Sequence, residues 1–337
     1  MPNDSPRMRL AAAMLPVLAT AACAPSPSPM LPASEPASQL AALGWWLIAV
    51  ATIVFLVVLF MLLVPLRARR HTIEHADVQP PHNEGMILIA GALVPAIILI
   101  GIYIGTLQTL SATAAPPVRP KYMIEVTGHQ WWWEIHYVSA DTSGEVTTAN
   151  EIHIPVGEPV ALRVASGDVA HSFWVPQLQG KIDAIPGQTN SFWIRADKAG
   201  TYHGACAEYC GMQHAHMAMV VVAEPMDKFQ EWMRAQRAPA PEPTDSLPAL
   251  GLSVFKSAPC VLCHTIRGTG TGGRMGPDLT HIATRLTLGA GAVDNTPGTM
   301  AGWIANAQAF KPGSDMPQIQ LDGKSMSALL AYLETLR

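Results

Sequence analysis

Hydrophobic residues are arranged along this chain in three ways, and each predicts a different kind of element. Residues 44–66 (GWWLIAVATIVFLVVLFMLLVPL) and 86–110 (MILIAGALVPAIILIGIYIGTLQTL) contain no charged residue. At about 1.5 Å of rise per residue each run exceeds the ~30 Å hydrocarbon core, so both predict membrane-spanning helices. Pro95 lies inside the second and is expected to kink it. From residue 121 to 223 the pattern changes to short alternating runs: YMIEVT at 122–127, EIHIP at 151–155, PVALRV at 159–164, NSFWI at 190–194 and MAMVVV at 217–222. Turn residues punctuate them (VGEP at 156–159, IPGQ at 185–188). Short strands with regular turn signals predict an antiparallel sandwich or barrel. Met226, Phe229, Trp232 and Met233 then recur at helical spacing and predict a short amphipathic helix.

Residues 238–248 (APAPEPTDSLP) are too rich in proline to form an element and read as a semi-stiff linker. Beyond them helical patterns alternate with Gly-rich loops, ending in KSMSALLAYLETLR, where Met326, Leu329, Leu330, Leu333 and Leu336 share a face. Residues 249–337 are expected to form a small all-α domain, helped if a cofactor fills its centre. The chain has no internal repeat.

The first 22 residues carry Arg7 and Arg9, an apolar run from 10 to 18, then ATAA before Cys23. This is the form of an export signal, and a cysteine after small residues is the form of a lipoprotein signal, with Cys23 as the lipidated residue. An ordinary signal peptide leaves Cys23 idle. Arg67, Arg69 and Arg70 follow the first apolar run, whereas no Lys or Arg lies between Cys23 and that run. The positive-inside rule therefore places the connection between the spans in the cytoplasm and everything after residue 110 outside.

Composition agrees with a membrane-anchored exported protein: of 337 residues, 14 % are charged and 49 % apolar, with a net charge of −4. Residues 119–237 hold 9 Lys/Arg against 13 Asp/Glu, and residues 247–337 hold 7 against 5. An acidic middle and a mildly basic end bias how the two bodies approach each other. No basic stripe suggests nucleic acid.

The cysteines carry the chemistry. Cys260 and Cys263 stand in CVLCH, the spacing by which two thioethers attach a c-type haem while the adjacent His264 ligates iron. Met275, Met300, Met316 and Met326 are candidates for the second axial position. Met316, in the loop KPGSDMP just before the last helix, is placed to reach the other haem face. Met326 belongs to the apolar face of that helix, and Met275 follows the haem motif too closely. Cys206 and Cys210 lie in CAEYCGMQHAHM. For the pair alone an exported disulfide and a zinc site both stay open. Cys210, His214 and Met217 on one loop before a strand, with His171 on an earlier loop, combine thiolate, imidazole and thioether as copper electron-transfer sites do. A second thiolate would let two coppers be bridged.

HSFWVP at 171–176 together with CAEYCGMQHAHM closely resembles the binuclear CuA site of subunit II of haem–copper cytochrome c oxidases. The two spans and GHQWWW at 128–133 match the same family, and a C-terminal cytochrome c resembles its caa-type branch, with MGPDL at 275–279 and the Met316-Pro317 loop as in class I cytochromes c. The resemblance implies a cupredoxin-like barrel between the spans and the cytochrome domain. It implies that Cys206 and Cys210 bridge two coppers, that His171 and His214 each cap one, and that Met217 and the Glu208 carbonyl are weak outer ligands. The Glu208 side chain would reach a magnesium site shared with subunit I, Trp131 would be where electrons enter, and the Pro277 carbonyl would orient His264. Two positions depart from the family: Gln188 stands where an arginine often follows IPG, and Leu88 replaces a glutamate at the mouth of a proton path, with Glu84 one turn further out. His129, His136, His153, His203 and His216 are expected to be surface or packing residues.

The function implied is electron input to a terminal oxidase in the bacterial inner membrane. Cytochrome c or a similar donor gives electrons to the haem on His264 and Met316. They pass to the copper pair and then to a haem in subunit I, where oxygen is reduced to water and protons are pumped. Subunits I and III and membrane lipid are the implied partners. Two alternatives stay open: the same module serving a membrane nitric oxide reductase, and a copper-binding or redox-switch lipoprotein with Cys206 and Cys210 as a dithiol.

Overall fold

The computed structural model describes residues 27–68, 84–138 and 145–337. The export signal, Cys23 and the side chains of Arg67, Arg69, Arg70 and Glu84 lie outside the described residues. The first apolar run sits in α1 (Glu35–Ala68). It starts earlier than predicted because Ser34 caps it, its Oγ accepting from the Ala37 amide at 3.1 Å, and because Pro36 falls in the first turn, where a missing N–H is harmless. The second run is α2 (Glu84–Leu88), a π-helical turn over Ile89–Leu93, and α3 (Val94–Ala114). Pro95 has no N–H to offer the carbonyl four residues back, and the ladder slips register just ahead of it. Stretches Glu35–Leu66 and Gly85–Ala114 are each long and apolar enough to cross a membrane. Gly101 and Gly105, one turn apart on α3, face Trp46 of α1: a Cβ at either would stand 3.9 Å from its ring, an ordinary contact distance.

The alternating region folds as two five-stranded sheets, ordered β3-β2-β1-β5-β8 and β4-β10-β9-β6-β7. The strands are β1 (Tyr122–His129), β2 (Trp132–Val138), β3 (Val146–Ala149), β4 (Glu151–Pro155), β5 (Val160–Ser166), β6 (His171–Trp174), β7 (Ile182–Ala184), β8 (Asn190–Ile194), β9 (Gly200–Cys206) and β10 (Ala218–Glu224). Alternate residues of β1 (Ile124, Val126), β2 (Trp133, Ile135) and β5 (Leu162, Val164) meet Phe173, Val221 and Met219 in one core. The sheets are not purely antiparallel as the short runs suggested: β1 pairs with β5, and β4 with β10, in parallel. Neither pair is consecutive in the chain, so a hairpin rule does not govern them.

Helix α4 (Met226–Arg237) lays Phe229, Met233 and Trp232 against this body. Trp232 stacks on His153 with ring centroids 4.1 Å apart. His153 is buried, with Nδ1 2.8 Å from Glu224 and Nε2 3.0 Å from Glu151. Burial alone would lower its pKa, but the two carboxylates outweigh it and raise the group from 6.5. A raised folded-state value means the contribution is complete below the ordinary imidazole range and is lost as pH rises through the raised value. His153 is therefore expected to contribute less to the melting point of the sandwich at about pH 9 than at about pH 6. His153→Gln should flatten that slope in thermal unfolding followed against pH.

The spans are tied to the sandwich at both ends. The Ala33 amide donates to the Gln177 carbonyl (2.8 Å) and Asp197 N–H to the Ala33 carbonyl (2.9 Å). Arg195 contacts Glu35 (3.2 Å), and the Trp193 indole donates to the Thr113 carbonyl at the end of α3 (2.9 Å). The C-terminal domain contains α5 (Ser246–Ser257), α6 (Cys260–Cys263), a two-stranded ribbon of β11 (Thr287–Leu288) and β12 (Val293–Asp294), α7 (Pro297–Phe310) and α8 (Gly323–Leu333). Helix α5 begins inside the stretch read as linker, since Pro248 occupies its first turn. Phe255, Ile304, Leu329, Tyr332 and Leu336 form its core.

Candidate metal centres

Strand β6 opens with His171, and Phe173 pairs with Cys206 at the end of β9, so two adjacent strands bring both residues to one edge. The segment from 207 to 217 then loops out and returns: the Cys206 amide donates to the Met217 carbonyl (2.9 Å) and Ala207 N–H to the Ser172 carbonyl (2.9 Å). A 3₁₀ turn at His214–His216 places His214 back over the cysteines.

Six donors converge there. Sγ of Cys206 lies 3.8 Å from Sγ of Cys210, 3.9 Å from Nδ1 of His171 and 3.2 Å from the Glu208 carbonyl. Cys210 Sγ lies 3.7 Å from Nδ1 of His214 and 3.8 Å from Sδ of Met217. The sulfurs stand far beyond the ~2.05 Å of a disulfide, and both thiols are free. His171, Cys206 and Cys210 offer ligand atoms within 4.8 Å of one another, all from buried residues. One tetrahedral zinc uses four donors; a thioether and a carbonyl in addition suit soft copper. His216 is exposed and turned away, bonding Gln213 through Nδ1 (2.7 Å). Met212 is also exposed.

Burial opposes ionisation of Cys206, yet the His171 ring and backbone groups of Glu208 and Ser172 outweigh it and hold its thiol at about 6. Cys210 is pushed up to about 12, first by burial and then by the charge on Cys206. Cys206 is thus the readier of the two to ionise, and a bound cation would favour the thiolate form of both.

Several supporting groups come from positions that no motif marks. Asp168 Oδ1 lies 2.7 Å from Nε2 of the fully buried His171, which fixes that ring with Nδ1 toward the sulfurs. A carboxylate three residues before the histidine, in DVAH, was the available signal. Asp168→Asn is expected to weaken copper retention by ~10–100-fold, measured by competition with a chelator. Gly128 is required by the same ring, since a Cβ there would lie 2.8 Å from it. Trp131 is half-buried, and its indole donates to the Cys210 carbonyl (2.9 Å), which also accepts from Gln130 Nε2 (2.7 Å). The Glu208 carboxylate is exposed beside the loop.

In the C-terminal domain Cys260 and Cys263 occupy the single turn α6, with His264 immediately after. His264 Nδ1 donates to the Pro277 carbonyl (2.8 Å), leaving Nε2 for an axial bond. A Cβ at Gly276 would lie 2.7 Å from the imidazole, so only glycine admits the ring. Free thiols and a fixed imidazole in this order fit a covalently held haem. Met316 packs at the border of the core with its carbonyl accepting from Gln308 Nε2 (3.0 Å). Met275 is 75 % exposed and Met300 is buried in the core.

Comparison with known proteins completes the picture. Residues 122–224 match the family model described as cytochrome c oxidase subunit II, periplasmic domain, and residues 248–337 match that for cytochrome c. Cytochrome c oxidase subunit 2 of Alkalihalophilus pseudofirmus is 35 % identical over 295 residues, covering 86 % of this chain and 84 % of that protein. The Bacillus subtilis protein of the same name is 27 % identical over 355 residues, covering 98 % of both. The crystal structure of the periplasmic domain of subunit II of cytochrome oxidase of Bradyrhizobium japonicum is 30 % identical over 36 % of this chain and 96 % of that one, with a TM-score of 0.34. A subunit II implies a subunit I partner. With both domains matched in this order, the chain belongs to the cytochrome c oxidase subunit 2 family, in its caa3-type form.

Proposed function

We propose that this chain takes electrons from cytochrome c or a similar donor and delivers them to a haem in subunit I, where oxygen is reduced to water and protons are pumped. The observation that carries this reading is the convergence of five soft and borderline donors and one carbonyl oxygen from two strands and one loop. Cys206 and Cys210 would bridge a copper pair, with His171 and His214 as caps and Met217 and the Glu208 carbonyl as weak outer ligands. Cys260 and Cys263 would hold the haem, with His264 and Met316 as axial ligands. When bound, these groups supply one-electron carriers that need no bond or proton to change place.

The chain's own part is positioning. Asp168 orients His171, Pro277 orients His264, and the closed loop between Cys206 and Met217 keeps the donors in place and water away from the sulfurs. Trp131, bonded to the Cys210 carbonyl, is the proposed point where electrons enter the copper domain. The exposed Glu208 carboxylate is the group for a magnesium ion shared with subunit I. The two candidate spans support a location in the bacterial inner membrane, with both outer domains on the periplasmic face.

Metal counting with electron paramagnetic resonance on the purified full chain tests the reading. Two coppers sharing one unpaired electron, with one covalent haem, are expected. A mononuclear copper signal, or zinc, defeats it.

A further inference from the structure

Lys311 follows α7 and is only 2 % exposed, although among the described residues no carboxylate pairs with it. Its ammonium has three N–H groups, and three backbone carbonyls receive them: Trp131 at 2.6 Å, His216 at 2.7 Å and Gly289 at 2.8 Å. Gly289 belongs to its own domain, whereas Trp131 and His216 flank the copper loop. Burial holds the Lys311 amine down at about 7, and the charged form, the one with a proton for each of the three carbonyls, requires both domains to be in contact. The neighbouring residues extend the contact. The Pro312 carbonyl accepts from Gln213 Nε2 (2.8 Å), and the Ala218 amide, one residue past Met217, donates to the Ala290 carbonyl (2.9 Å). A Cβ at Gly313 would lie 3.4 Å from Met212 Sδ and 3.7 Å from the Trp131 ring. The loop that leads to Met316 thus lies over Trp131.

We propose that Lys311 is a latch that docks the cytochrome c domain on the copper domain with the Met316 loop over Trp131, so that the chain's own haem domain, and not an external protein, occupies the Trp131 face. Lys311 is a positioning residue. One electron leaves the reduced haem and the copper pair gains it, and Lys311 only sets the distance. The importance of Trp131 rests on the function proposed above; the docking does not.

The test uses the intact oxidase. In the wild type, acetylation read by mass spectrometry should spare Lys311 while modifying the exposed Lys324; equal labelling of the two overturns the latch without any variant. In Lys311→Met, hydrogen exchange at the Ala218 amide should accelerate about tenfold or more, because charged hydrogen bonds across the contact are lost. Haem-to-copper transfer after photoreduction should slow by a similar factor, while reduction of the haem by external donor stays unchanged. Haem absorption and the copper spin signal verify that both domains are intact in the variant. Unchanged exchange at Ala218 overturns the proposal. Faster exchange with an unchanged transfer rate overturns Lys311 as the residue that sets the transfer distance.

Discussion

Cys210→Ser is expected to eliminate the shared-electron copper signal and to lower cytochrome c-driven oxygen uptake by more than ~100-fold, beyond what changes outside the ligand shell produce. Cys210 is the hub of the site: it is 2 % exposed and lies 3.7 Å from His214, 3.8 Å from Met217 and 3.8 Å from Cys206. A serine hydroxyl fills nearly the same space but is a hard donor that does not ionise at this pH, so it cannot bridge soft copper. The fold should survive, since the change is small and the strands do not depend on the sulfur. External reduction of the haem should be unaffected, which separates loss of the copper pair from loss of the donor. Wild-type spectra in this variant would show that Cys210 is not a bridge.

Gly251→Ala is expected to destabilise the cytochrome domain by about 3 kcal/mol or more, with its melting point falling by roughly 10 °C or more. Gly251 is where α5 crosses α8: a Cβ there would collide with the Ala328 carbonyl oxygen and lie 2.6 Å from Cβ of the fully buried Tyr332. Neither obstacle is the flexible end of a side chain, so the helices must separate. The opposing gain, alanine's better helix propensity, is only ~1 kcal/mol. Thermal unfolding followed at the haem absorption should show the drop, while the copper domain's transition stays in place. An unchanged or higher melting point would mean that the helix contact is looser than the structure has it.

Trp131 illustrates how far reading residues in order carries. Only the family resemblance nominates it for electron input. In the fold it is half-buried, bonded to the Cys210 carbonyl and covered by a loop from a domain that begins more than a hundred residues later. The parallel pairing of β1 with β5 and of β4 with β10 was hidden for a related reason. Alternation reveals a strand and its buried face but not its neighbour, which is set by how the two sheets close over a shared core.

Residue order is enough to reveal the inventory: two uncharged spans, an alternating exported body with soft donors on one late loop, and a haem-attachment motif in a helical end. These properties are local, because charge, hydrophobic period and ligand spacing act over a few residues. The tertiary structure alone decided what surrounds the donors. Asp168 behind His171, the space that Gly128 leaves for that ring, and Lys311 reaching across to Trp131 and His216 exist only once distant strands and domains are packed. The physical reason is desolvation: a buried imidazole or ammonium must find partners, and folding, not sequence proximity, brings them within hydrogen-bond reach.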